Sequence, residues 1–153
     1  MRRRLLTMLV LAGLLSPAAQ AQVAPVRPAP KRRPARLAHR VVAFAKRQIG
    51  VPYSWGGTSP RTGFDCSGLV YAAYRSIGMT IPRSTWGQLD VGRRVGFARL
   101  RPGDLVFTNG GGHVQLVVSK RAAISAPQTG ERVRYVPLRQ LRPEFAGARR
   151  LLR

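Results

Sequence analysis

Cys66 and His113 are the two residues of this chain whose side chains suit nucleophilic chemistry at neutral pH. Cys66, in the stretch GFDCSGLVYAAY, is the single cysteine among 153 residues, and His113 follows three glycines in NGGGHVQLVVS. A thiol attacks only as its thiolate, and its pKa of about 8.5 falls at a helix start or beside an imidazolium. An imidazole is the side chain best matched to take and return a proton near pH 7. Together they suit covalent catalysis at a carbonyl, with an acyl-enzyme dividing one hard step into two easier ones. The other histidine, His39, lies beside Arg40 in a basic stretch and reads as a solvated surface residue.

The absence of a second cysteine sharpens this reading. The chain starts MRRRLLTMLVLAGLLSPAAQAQ, with three arginines, an apolar run from Leu5 to Leu15, and small residues at Ala19 and Ala21. That pattern is a secretory signal over residues 1–21. Its apolar run is shorter than the roughly 20 residues of a membrane-spanning helix, so no transmembrane segment is expected. The destination is the periplasm or the cell exterior and wall. Exported domains commonly pair their cysteines, so a lone thiol there is either buried and inert or kept for its chemistry. Cys66 precedes the apolar face of its helix instead of lying on it, which favours chemistry.

Bringing Cys66 to His113 requires a helix and a sheet. Leu37, Val41, Phe44, Ala45 and Ile49 recur at helical spacing, and Gly50 and Pro52 stop the pattern. Asp65 is a good N-cap for a second helix, lined by Leu69, Val70, Ala73, Tyr74 and Ile77 and ending at Gly78, with Cys66 in its first turn. Between them, PYSWGGTSPRTGF is a turn-rich loop, and MTIPRSTWGQL reads as a connection with a short helical piece. GDLVFT and HVQLVVS are strands joined by the hairpin signal NGGG; AAIS and RVRYVPL are further strands around the turn APQTG. Helices followed by an antiparallel sheet make an α+β fold. One folded domain is expected over residues 37–153, preceded by a basic, proline-rich linker at 22–36 that composition marks as disordered.

The chain carries 27 basic and five acidic residues, a net charge of +22. Without residues 1–21 it remains close to +19, which predicts attraction to anionic envelope polymers. No recognition-helix motif or basic strand interleaved with aromatics is present, so nucleic acid is not an expected partner. No cluster of ligands at metal-binding spacing and no phosphate-binding loop occurs, so no metal or cofactor is implied.

VPYSWGGTSPRTGFDCSGLVYAAY, IPRSTWGQ, RPGDLVF and GHV, in this order from about Val41 to Leu138, resemble the NlpC-type cell-wall endopeptidases, which are papain-like cysteine peptidases. The resemblance implies N-terminal helices packed on an antiparallel sheet, with Cys66 as nucleophile and His113 as its proton carrier. It implies that Tyr53 lies near the nucleophile and helps bind the oxyanion, and that Asp65 and Ser67 help bind substrate. Trp55, Arg83, Ser84 and Gln88 become wall or packing residues of a groove. The implied substrate is the peptide stem of peptidoglycan, cut between D-glutamate and a diamino acid, by a monomer. An amidase cutting where peptide joins sugar, and a wall-binding module with weakened catalysis, are the alternatives. Two positions depart from the family pattern. Gln115 stands where GHVG commonly has glycine, a change expected to alter packing rather than chemistry. Ser125, twelve residues after His113, stands where a residue such as histidine orients the catalytic imidazole. A serine is short and uncharged and orients a ring less firmly, and the nearby Gln128 is a possible substitute.

Overall fold

In the computed structural model, which describes residues 32–153, the first element is α1 (Arg32–Lys46). Residues 1–31, with the expected signal peptide and most of the expected linker, lie outside the described residues. The helix starts at Arg32 and not at Leu37, so residues 32–36, expected in the linker, are helical. Pro34 is no obstacle, because the amides of a first helical turn have no intrahelical acceptor and proline fits there. Val41, Val42 and Ala45 form the buried stripe, and the helix gives way to turns through Gly50.

A small hairpin, β1 (Thr58–Ser59) and β2 (Gly63–Phe64), lies in the expected loop. It leads into α2 (Cys66–Arg75), which ends three residues before Gly78. Leu69, Val70, Ala73 and Tyr74 are buried on one face of α2, and the Tyr74 hydroxyl donates to the Gly103 carbonyl. The expected short helical piece is α3 (Thr85–Leu89), capped by Ser84.

The second half forms β3 (Arg93–Arg94), β4 (Leu105–Thr108), β5 (His113–Val117), β6 (Ala122–Ser125), β7 (Arg134–Pro137), α4 (Leu138–Leu141) and β8 (Gly147–Arg150). The six strands make one antiparallel sheet in the order β3-β8-β4-β5-β6-β7. The strands pair in the α+β arrangement expected, with α1 to α3 before the sheet and the short α4 between β7 and β8. β3 and β8 have no counterpart in the sequence expectations.

Alternation along the strands divides the core into two layers. Leu105, Phe107, Val114, Leu116 and Ile124 face α1 and α2. Val106, Val117, Ala123 and Ala148 face the other way, under Leu138 and Leu141 of α4. Each fully buried leucine or phenylalanine contributes about 2 kcal/mol, so this double layer fixes the sheet against α2. β8 is secured by Arg150, whose guanidinium donates to both oxygens of the buried Asp104 at 2.7 and 2.6 Å.

Candidate active site

Asp65 organises the start of α2. Its Oδ1 accepts from the Gly68 amide at 2.6 Å, as an N-cap should, while Oδ2 accepts from the Gly56 amide at 2.8 Å. The carboxylate thus ties the loop carrying Tyr53 to the helix carrying Cys66. The approach is so close that a Cβ on Gly68 would collide with the Gly57 carbonyl oxygen, which explains glycine in the first turn of a helix. Arg83 completes the arrangement, donating to Oδ1 at 2.9 Å and Oδ2 at 2.7 Å, and to the Ser67 hydroxyl at 2.9 Å. Burial alone would raise the Asp65 pKa; the bonds from Arg83, Gly68 and Gly56 outweigh it and hold the carboxyl below its ordinary value.

Cys66 is the first residue of α2, partly exposed, with its sulfur 3.7 Å from Thr85 Oγ1. Burial pushes its thiol pKa up, but the His113 ring, through a hydrogen bond and its charge, lowers it. Hydrogen bonds from Thr85 and the Val114 amide act in the same direction, and the net shift is downward. His113 opens β5, where a turn through Asn109, Gly110 and Gly111, all at positive φ, closes the β4–β5 hairpin. The sequence expectation of a glycine-built turn delivering this histidine matches that geometry.

His113 Nε2 lies 2.9 Å from Ser125 Oγ, and Ser125 is 2% exposed on β6. The bond leaves Nδ1 for Cys66. Gln128, the other candidate for this position, donates instead to Glu131 at 3.1 Å on the surface. The ring of His113 is thus bonded directly to Ser125 on β6 and is also the group that most lowers the pKa of Cys66 on α2.

Tyr53 lies beside these residues. Its phenol pKa is raised, first by burial and then by the negative charges of Cys66 and Asp65, with Arg83 opposing. A phenol so held is protonated at neutral pH and can donate a hydrogen bond. Its backbone amide donates to the Glu131 carbonyl, anchoring the loop to the second half of the chain.

Three contributions exceed what the sequence reading assigned. Arg83, expected as a wall residue, clamps Asp65 and Ser67. Thr85 was not singled out, yet its hydroxyl meets the sulfur. Gln88 is fully buried and donates from Nε2 to the Ser67 and Pro82 carbonyls, bracing α2 against α3. The signal for Arg83 was arithmetic: with five acidic residues in the chain, the acid beside Cys66 needs a cation, and Arg83 lies in the same connection as the short helix. Trp55 and Trp86 remain largely exposed, 87% and 60%. Among the described residues no three histidine, cysteine or acidic side chains converge as metal ligands.

The sequence profile of the NlpC/P60 family matches residues 50–150, a span that includes every residue of this site. The murein DD-endopeptidase MepH of Escherichia coli (strain K12) is 41% identical over 116 residues, covering 69% of this chain and 43% of MepH. The peptidoglycan endopeptidase RipA of Mycobacterium tuberculosis is 34% identical over 113 residues, covering 65% of this chain and 24% of RipA. The chain thus spans less than half the length of these curated relatives. Among solved structures, the peptidoglycan hydrolase RipB of Mycobacterium tuberculosis matches with a TM-score of 0.72 at 33% identity, covering 82% of this chain and 69% of that one. Structures of RipA mutated at a histidine and at a glutamate, positions 12 residues apart, also match, with TM-scores of 0.71 and 0.65 at 28% and 31% identity. They cover 80% and 72% of this chain and 65% and 60% of theirs.

Proposed function

The chain belongs to the NlpC/P60 family, and from that premise we propose that it is an exported cysteine peptidase hydrolysing peptide bonds in the stem peptides of peptidoglycan. What supports this reading is that Cys66 starts α2, that the ring of His113 at the start of β5 lowers its pKa, and that this ring is bonded to Ser125. The Cys66 thiolate attacks the scissile carbonyl carbon. The new C–S bond drives charge onto the carbonyl oxygen, which the helix-start amide of Cys66 and the Tyr53 phenol stabilise. His113 then protonates the departing amine as the C–N bond breaks, leaving an acyl-enzyme. Water gives a proton to His113, attacks the acyl carbon and frees the thiol. Ser125 accepts from His113 Nε2–H and keeps the ring turned towards Cys66. Asp65 and Ser67, held by Arg83, line the groove and meet the substrate peptide.

The bond proposed is that between D-glutamate and the diamino acid of the stem. A second reading, a bond between two D-configured centres, is favoured by the activity in the name of MepH. Residues 1–21 act as an export signal. The net charge, close to +19 once residues 1–21 are removed, supports retention on anionic envelope polymers. No helix among the described residues is long and apolar enough to cross a membrane.

Digestion of purified peptidoglycan, with mass analysis of the products, tests the reading. Disaccharide-dipeptides indicate the D-glutamyl bond, conversion of cross-linked dimers to monomers the second reading, and intact free stem peptides an amidase. Cys66→Ala should release nothing while staying folded; a variant as active as the parent overturns the proposal.

A further inference from the structure

Resting on that reading, one buried residue besides Cys66, His113 and Ser125 has an unmet need that matches an unmet need of Ser125. Gln115 lies on β5 and is 3% exposed. Its Nε2 donates to Thr108 Oγ1 at 3.0 Å, but its Oε1 is buried with no hydrogen-bond partner among the described residues. A buried carboxamide oxygen without a partner is a standing cost to the fold that a nearby donor would relieve.

Ser125 is the candidate donor, although its hydroxyl is not bonded to that oxygen in the structure. In the thiolate–imidazolium state both ring nitrogens of His113 carry protons, so Ser125 Oγ must act as acceptor towards Nε2–H. The hydroxyl proton then has to point elsewhere, and the one hydrogen bond at this hydroxyl among the described residues is that to His113. The pairing of Leu116 with Ile124 and of Val117 with Ala123, continued by one step, brings Gln115 opposite Ser125 on the same face of the sheet. Directly opposed side chains have Cβ atoms about 4.5–5.5 Å apart, within reach of a glutamine and a hydroxyl. Thr108, which holds the other end of the carboxamide, pairs with His113 across β4 and β5. Thr108, Gln115, Ser125 and His113 thus occupy one polar corner of the sheet.

We propose that Gln115 is a positioning residue of the active site: when Cys66 and His113 form their ion pair, Oε1, unbonded in the structure described, takes the Ser125 hydroxyl proton and fixes Ser125 as an acceptor for His113. Thr108 fixes the carboxamide from its other end. A neutral serine becomes an oriented acceptor because the residue opposite it dictates where its proton goes. This assigns Gln115 a part in the chemistry where the sequence indicated only packing.

The test is the rate of Cys66 alkylation by iodoacetamide as a function of pH on the folded chain, which reads the thiolate directly. Gln115→Met keeps shape and burial but removes the acceptor, and should slow alkylation at pH 6 by about fivefold, the equivalent of one ordinary hydrogen bond. Gln115→Glu, which keeps an oxygen at the same reach, should react at least as fast as the parent. In a Ser125→Ala background, Gln115→Met should add nothing, since its effect passes through that hydroxyl. A Gln115→Met profile that overlays the parent's, or a loss of the same size with Ser125 already removed, overturns the role of Gln115. If the parent's Cys66 alkylates like an unperturbed thiol, the proposed function fails first, and the role of Gln115 with it.

Discussion

Arg83 spans eighteen residues of sequence to place its two terminal nitrogens on the two oxygens of Asp65, at 2.9 and 2.7 Å. A planar fork suits a carboxylate in a way that a lysine ammonium does not. Because Asp65 caps the helix that Cys66 begins and binds the Gly56 amide, this pair fixes the start of α2 together with the loop above it.

Arg83→Met should therefore destabilise the domain by about 1–2 kcal/mol at pH 7, a modest figure because the guanidinium is partly exposed and screened by solvent. The folded Asp65 pKa is depressed, so its contribution is present above the unfolded value of about 3.9 and lost as pH falls through the folded one. Urea unfolding of parent and variant should differ at pH 7 and converge as the pH drops below the carboxylate range. A gap of equal size at pH 2 would show that the ion pair is not its source.

The lowered Cys66 pKa predicts an acid limb of the pH–rate profile that begins below the range of a free thiol, about 8.5. His113→Ala removes the largest lowering contribution and should move that limb upward, with burial then acting against the thiolate. Stopped-flow alkylation across pH 5–9 measures both; a limb unmoved by His113→Ala would separate the imidazole from the thiol.

Thr85→Val exchanges the hydroxyl near the sulfur for a methyl of similar size. Peptide release should fall by about two- to tenfold through lost thiolate stabilisation, the range of one weak hydrogen bond, while thermal unfolding changes little. Unchanged turnover would make Thr85 a packing residue of α3 alone.

Asp104→Asn tests the far side of the sheet. The substitution leaves Arg150 facing a neutral amide in a nearly closed site, and breaking a buried pair in this way costs about 3–5 kcal/mol. Thermal unfolding should shift down by about 10–20 °C without altering the pH dependence of Cys66 alkylation. A variant as stable as the parent would show that β8 is held by its backbone pairing alone.

The parts of this molecule that were legible in the sequence are those built from local signals. Asp65 announces a helix start by its own capping chemistry, the glycines before His113 announce a tight turn, and the β-rich runs GDLVFT and HVQLVVS on either side of NGGG give a hairpin. What stayed hidden depends on partners far along the chain. β8 is GARR and β3 is RR, short and arginine-rich, and neither resembles a strand until β4 lies beside it. Arg83 looked like a groove wall because a guanidinium's partner cannot be read from its neighbours, and Gln115 looked like filler for the same reason. The early start of α1 was masked by Pro34, whose helix-breaking reputation does not apply to a first turn.

The strand order has a consequence for biogenesis. β8 is the last strand to be synthesised, yet it lies between β3 and β4, whose inner edges await it. β4, the neighbour of the histidine-bearing strand, leaves the ribosome roughly forty residues before the segment that covers its flank. A chain emerging N-terminus first would present its cysteine well before its sheet could close. Closure of the sheet is thereby postponed until the final strand arrives, a delay that pulse-labelled, stepwise-truncated chains would expose as protease sensitivity persisting until residue 150 is included.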